Sequence, residues 1–157
     1  MIAIRAAAKG DVPALGDLMA ELLRHYQLPV AGPGEMSAII ERQIAQGRSL
    51  LAFDGGNLVG FAFYALLFPG EGLSPQIYVK DIYTKASERG RGVARALFQA
   101  LAKEARAQGC TRIDWTTERD NRQAQAVYQA LGASLVEDKL YFRLDEQGIA
   151  RLCDMPE

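Results

Sequence analysis

Cysteine is scarce: Cys110 and Cys153 are the only two in 157 residues. Neither lies in a C-x-x-C pair or at ligand spacing from a histidine, so the reading is of reduced cysteines in a cytosolic protein. His25 is the only histidine, and no metal site is indicated. Charge of one sign is lacking as well. A formal net charge of -1 implies no strongly basic surface and disfavours a general nucleic-acid binder; the local basic cluster from Lys85 to Arg95 suits one small anion better than a phosphate polymer. No apolar run approaches the ~20 residues of a membrane span, and the N-terminus MIAIRAAAKGD has no signal-peptide pattern. A cytoplasmic location, no membrane partner and one domain over residues 1–157 are expected.

What is present is periodic. Met1–Arg5 reads as a strand. Asp11 is placed as an N-cap with Pro13 in the first turn, opening a helix through about Leu23–Tyr26 whose apolar Leu15, Leu18, Met19, Leu22 and Leu23 recur at helical spacing. Pro29, Gly32, Pro33 and Gly34 break it. A second helix is expected from about Glu35 to Ala45, with Ile39, Ile40 and Ile44. Ser49–Phe53 and Leu58–Leu67 read as strands joined by the turn Asp54-Gly55-Gly56-Asn57. Ile77–Thr84 is a further strand, Val93–Gln108 a helix, Thr111–Thr116 a strand, Asn121–Leu131 a helix and Tyr141–Leu144 a closing strand. The order β-α-α-β-β-β-α-β-α-β is mixed α/β, with helices covering a mostly antiparallel sheet.

The most informative stretch runs Tyr78-Val79-Lys80-Asp81-Ile82-Tyr83-Thr84 and then Arg89-Gly90-Arg91-Gly92-Val93-Ala94-Arg95. A strand passes into a glycine-bearing loop, and the loop into a helix. The first turn of a helix carries unpaired N–H groups and partial positive charge, and glycines let a phosphate come close. Arg89 and Arg91 add charge. There is no G-x-x-x-x-G-K-[ST], and the glycine spacing is not G-x-G-x-x-G, so neither a P-loop nor a dinucleotide fold fits.

Here the chain resembles the GNAT acetyltransferases. Their pyrophosphate signature, Q/R-x-x-G-x-G/A, is matched by Arg89, Gly92 and Ala94. A second signature has Asn, then Ala three on, Tyr seven on and Gly eleven on. Asn121, Ala124, Tyr128 and Gly132 match it. The resemblance implies a sheet with a splayed strand pair that receives acetyl-CoA as co-substrate. Backbone groups of Ile82, Tyr83 and Thr84 would meet the pantetheine arm and the acetyl oxygen. Amides from Gly90 to Arg95, including Gly92, Val93 and Ala94, would cradle the pyrophosphate, and Asn121 and Ala124 would contact the CoA arm. Tyr128 would protonate the leaving thiolate, against the alternative that it merely packs as an aromatic. For the base, Asp81 comes first and Glu118 second, with a chain of waters an equal option, and Asp81 reads as readily as a structural partner.

Within the superfamily the likeness is nearest to diamine (spermidine/spermine) acetyltransferases, through Gly60-Phe61-Ala62-Phe63-Tyr64, Tyr78-Val79-Lys80-Asp81 and Arg112-Ile113-Asp114-Trp115. Lys80 and Tyr26 stand where that branch carries acidic residues. Lys80 either meets a carboxylate, which would suit an amino-acid-like acceptor, or points to solvent. His25 and Tyr26 fall on the wall of the acceptor site, and Trp115 fills the core or lines that pocket. The expected activity is acetyl transfer to a small-molecule primary amine. A protein-directed acetyltransferase and a non-catalytic CoA-binding module are the alternatives. The family often pairs subunits, so the resemblance admits a homodimer.

Overall fold

A computed structural model describes residues 1–155. Five strands form one sheet in the order β1 (Ala3–Ala6), β2 (Ser49–Asp54), β3 (Asn57–Leu67), β4 (Gln76–Thr84) and β5 (Ile113–Asp114). The first four pair antiparallel, and β5 lies parallel to β4. The turn at Gly55 and Gly56 does close the β2–β3 hairpin, both glycines taking positive φ.

Period-two alternation divides the sheet's two faces. Leu51, Phe61, Phe63 and Tyr83 pack under helices α1 (Val12–His25) and α2 (Pro33–Ala45). Ala52, Ala62, Tyr64, Ile77 and Val79 pack on the opposite face under α3 (Val93–Ala107). The inward stripe of α3 is Val93, Leu97, Leu101 and Ala105, as its i, i+4 spacing predicts, and all four are buried. Two short helices come after it, α4 (Arg122–Ala130) and α5 (Glu146–Cys153). None is long and apolar enough to cross a membrane among the described residues.

Several sequence expectations are corrected. Asp11 does occupy the N-cap position of α1, but its side chain makes no capping hydrogen bond to the helix. Its carboxylate accepts two hydrogen bonds from the Arg5 guanidinium, both 2.7 Å, and one from the Ala8 N–H at 2.8 Å. Pro33 opens α2 instead of breaking the chain, because the first turn of a helix needs no N–H there. Met36 and Ile40 are the buried residues of α2, while Ile39 is exposed. The strand expected over Thr111–Thr116 keeps ladder pairing only at Ile113 and Asp114. The strand expected at Tyr141–Leu144 is not one: the segment has no ladder partner among the described residues, and a strand exists only by pairing. The helix α5 has no counterpart among the elements expected from periodicity.

Two irregularities shape the sheet on the side that faces α4. The β3–β4 register shifts between Phe63, opposite Asp81, and Tyr64, opposite Val79, leaving Lys80 as an extra bulged residue. The β4–β5 ladder ends at the Tyr78–Asp114 pair. From Val79 to Thr84 the outer edge of β4 therefore has no strand beside it, and its peptide groups on that side face a gap. This is the splay that the resemblance implies.

Candidate active site

The gap opens into a cavity of about 350 Å³. Its walls come from four places in the chain: His25 and Tyr26 at the end of α1, Ile82, Tyr83 and Thr84 of β4, the loop and first turn from Arg89 to Arg95, and the face of α4 bearing Asn121, Ala124 and Tyr128. Most residues expected in the site thus converge on one hollow. A wider depression of about 550 Å³ between β1 and α3 holds none of them.

Gly90 and Gly92 take φ of +77° and +82°, where a side chain would be strained. No atom lies within 4 Å of where a Cβ would stand on either, so the surface over the loop is open. The first intrahelical bond of α3 runs from Ala96 N–H to Gly92 C=O at 3.0 Å. The N–H groups of Val93, Ala94 and Arg95 therefore precede any intrahelical acceptor, and these residues line the cavity. Three outward donors at the positive end of a 15-residue helix suit a pyrophosphate.

The arginines of this loop divide their tasks. The Arg89 guanidinium lies 5.6 Å from the Tyr83 ring centroid and on the cavity wall. Arg91 is engaged elsewhere. It pairs with Glu88 and, at 2.7 Å, with Asp54 in the β2–β3 turn, which the N-terminal ammonium also approaches at 3.3 Å. Its side chain ties the loop to the sheet and is absent from the cavity wall.

Tyr128 is half-buried. Its ring stands edge-on to Trp115 at 5.2 Å and to Phe98 at 5.7 Å. Burial raises the phenol's pKa above its ordinary value, and the nearby Tyr26 and Glu118 raise it further. The proton is therefore held at neutral pH and available to a group that gains negative charge. Trp115 buttresses Tyr128 from the core side, packed on Phe98 at 4.7 Å, and does not line the cavity. Asn121 caps α4, its Oδ1 accepting from Ala124 N–H at 3.1 Å, and both residues face the hollow.

At the end of the hollow formed by α1, burial and charge both act on Tyr26. Tyr26 is raised in pKa by burial first, then by Glu118 and Asp81, with Arg89 acting against them. Lys80 lies outside the cavity wall, largely in solvent, with its Nζ 3.3 Å from Asp81 Oδ1. His25 stacks edge-on to Tyr26 at 5.2 Å. Asp81 sits next to the cavity-lining Ile82 without lining the hollow itself.

Sequence reasoning missed Glu21. Its Oε1 accepts from the Tyr83 hydroxyl at 2.9 Å and from Ala86 N–H at 2.8 Å. One carboxylate of α1 thus fixes both the end of β4 and the start of the glycine loop. The available signal was a charged residue between Leu18 and Leu22, on the buried side of α1. Gln123 and Val127 also line the hollow; they stand four residues apart, on one face of α4.

With this geometry in view, comparison with known proteins is decisive. Residues 17–133 match the Acetyltransferase (GNAT) family. The chain belongs to that family. The integron cassette protein VCH_CASS6, from the mobile metagenome of V. cholerae, superposes with a TM-score of 0.88 at 30% identity, over 98% of both chains. Aminoglycoside N-acetyltransferase AAC(6')-Iy, solved in complex with CoA, superposes with a TM-score of 0.76 at 26% identity, over 92% of this chain and 95% of that one. The thialysine N-epsilon-acetyltransferase of Bos taurus is 28% identical over 131 residues, 83% of this chain. The chain spans 62% of that relative's length.

Proposed function

We propose that this GNAT-family protein transfers the acetyl group of acetyl-CoA to the primary amine of a small molecule by direct attack on the thioester. One observation carries the reading: the free amides of Val93, Ala94 and Arg95 and the phenol of Tyr128 line the same hollow, beside the unpaired edge of β4. That arrangement fits a long, phosphate-bearing thioester laid along β4 with its sulfur near Tyr128. The CoA complex of a structural relative supports this choice of co-substrate.

The chain's own groups supply each part of the reaction. Peptide N–H groups on the open edge of β4, from Ile82 to Thr84, donate to the acetyl oxygen as it gains charge. The amine nitrogen bonds to the carbonyl carbon and the C–S bond breaks. Tyr128 donates its O–H proton to the departing sulfur. The ammonium proton leaves through water toward Asp81 or Glu118, the carboxylates that act on the Tyr26 phenol.

The acceptor is a cationic amine of diamine-like or amino-acid-like type. Asp81 stands next to the cavity-lining Ile82, and Glu118 and Asp81 act on the Tyr26 phenol of the cavity wall, less than its burial does and against Arg89; negative charge there supports a cationic acceptor. Lys80 meets the chain's own Asp81 and lies outside the hollow, so it is not presented to an acceptor's carboxylate, which favours the diamine-like member of the pair. A cytoplasmic location and a paired state complete the reading. Replacing Tyr128 with Phe should slow kcat by about 10²-fold or more, with acetyl-CoA binding near normal. Steady-state kinetics with calorimetry measures both, and an unchanged kcat removes Tyr128 from the acid role. A panel of polyamines and amino acids, followed by release of free CoA, ranks the acceptors. Preference for amino acids over polyamines would reverse the diamine assignment.

A further inference from the structure

The glycine loop ahead of α3 has little backbone support of its own. Among the described residues, Gly90 and Arg91 make no backbone hydrogen bond. The last one before them runs from Arg89 N–H to Ala86 C=O at 3.5 Å, and the next from Ala96 N–H to Gly92 C=O at 3.0 Å. Gly90 and Gly92 both stand at positive φ, and glycine gives up more conformational freedom on being fixed than any other residue. The shape of the loop therefore has to be held by side chains, and Arg91 is the one residue between the two glycines.

Its guanidinium is committed away from the hollow. One terminal nitrogen meets Glu88, at the end of the single helical turn Ala86–Glu88, and the other lies 2.7 Å from Asp54 Oδ2. The Arg91 side chain is 56% exposed, but its partners are largely covered, Asp54 at 19% and Glu88 at 22%. Asp54 is the last residue of β2, held opposite Asn57 in the hairpin register, so the loop is fastened to the sheet. A planar fork gripping two carboxylates fixes direction as well as distance.

The signs of these charges separate two roles for Arg91. The two carboxylates it grips offset its charge, so it adds little attraction for a pyrophosphate. Judged by charge alone, Asp54 works against a phosphate-bearing ligand, and removing it would strengthen binding. Its placement is that of an anchor instead.

We propose that Asp54 and Glu88 are positioning residues for the co-substrate. Through Arg91 they hold residues 90–92 in the shape that presents the Val93, Ala94 and Arg95 amides, and Arg91 itself does not touch the phosphates. This role rests on the acetyl-CoA reading of the site. It gives the β2–β3 turn, 37 residues from Arg91 in the chain, a share in binding a ligand it does not reach.

The variant Asp54→Asn decides by sign, since Asn suits the turn as well as Asp does. Loss of an anchor weakens acetyl-CoA binding in calorimetry by about two- to fivefold and raises KM more than it lowers kcat. Were Arg91 a phosphate ligand, the same variant would free its guanidinium, remove a like charge and tighten binding. In a cycle with Arg91→Gln, the double variant should bind no more weakly than the weaker single variant. Amide hydrogen exchange without ligand gives a readout that does not depend on activity: residues 90–95 should exchange faster in Asp54→Asn than in wild type, with the rest of the chain unchanged. Unchanged or tighter binding, additive losses in the cycle, or identical exchange each overturns the positioning role while wild type still binds acetyl-CoA. A wild type that does not bind acetyl-CoA overturns the reading of the site, and this role with it.

Discussion

Glu21 shows how much a single carboxylate can organise. Its Oε1 holds both the Tyr83 hydroxyl and the Ala86 N–H, so the chain direction between β4 and the glycine loop depends on it. Burial comes first and the Glu21 hydrogen bond second in raising the pKa of Tyr83, so the phenol stays a donor. Replacing Glu21 with Ala leaves the Tyr83 hydroxyl, in part-buried surroundings, without its acceptor, at a cost of about 1–3 kcal/mol at most, and leaves the exposed Ala86 N–H to water. Since both donors lie just ahead of the proposed phosphate-binding turn, the KM for acetyl-CoA should rise more than kcat falls. Glu21→Gln retains an acceptor and should recover most of the loss. Equal KM values for the three proteins would show that α1 does not position the loop. Residues such as Arg89, Asn121 and Tyr128 are legible because their spacing along the chain is itself the pattern. Glu21 is not, because its meaning lies in Tyr83, 62 residues away in the chain. Asp11 departs from its expected role for a related reason. A short acidic residue before a helix usually serves the helix, but Arg5 offers a two-pronged cation within reach.

At the scale of elements, the approach of α3 to β3 decides where the proposed phosphate-binding turn stands. Gly60 makes that approach possible. A Cβ on Gly60 would lie 2.7 Å from Val93 Cγ1 and 2.8 Å from the Tyr83 carbonyl oxygen, too close for either to remain in place. Val93 is the first residue of α3 and Tyr83 belongs to the open stretch of β4, so both sides of the cavity would have to move. Gly60→Ala should therefore destabilise the fold by about 1–3 kcal/mol and weaken acetyl-CoA binding at the same time. Thermal unfolding and calorimetry give the two values, and a variant as stable as wild type with full affinity would mean the contact is slack. The elements themselves are readable from periodicity, and α3 most clearly, since four buried positions repeat at one spacing. The last strand is not. Tyr141–Leu144 has the composition of a strand, but pairing is settled by whatever lies alongside, and among the described residues no strand does. The shortened β5 has the same cause, since β4 turns away from it beyond Tyr78.

At the scale of the molecule, stability should respond to pH at both extremes, for opposite reasons. Asp11 is held below the usual carboxylate range, chiefly by the Arg5 hydrogen bonds, with the Ala8 N–H adding to them against burial. Its contribution is present above an unfolded value of about 4 and is lost as pH falls through the lower folded value. Tyr26, Tyr64, Tyr83 and Tyr128 are all raised, each by burial first. The folded chain keeps these protons longer than the unfolded chain does. Above the unfolded value of about 10, the unfolded state binds fewer protons, and stability falls until the folded values are passed. Tyr64 isolates this effect from catalysis. It is 7% exposed, packs in the core under α3 and lies outside the candidate site. Tyr64→Phe removes the titrating group and keeps the ring, so its melting temperature should match wild type near neutral pH and decline less steeply above about pH 10. If the alkaline limbs of the two proteins superimpose, the loss of stability there belongs to other groups, and burial of the tyrosines is not its source.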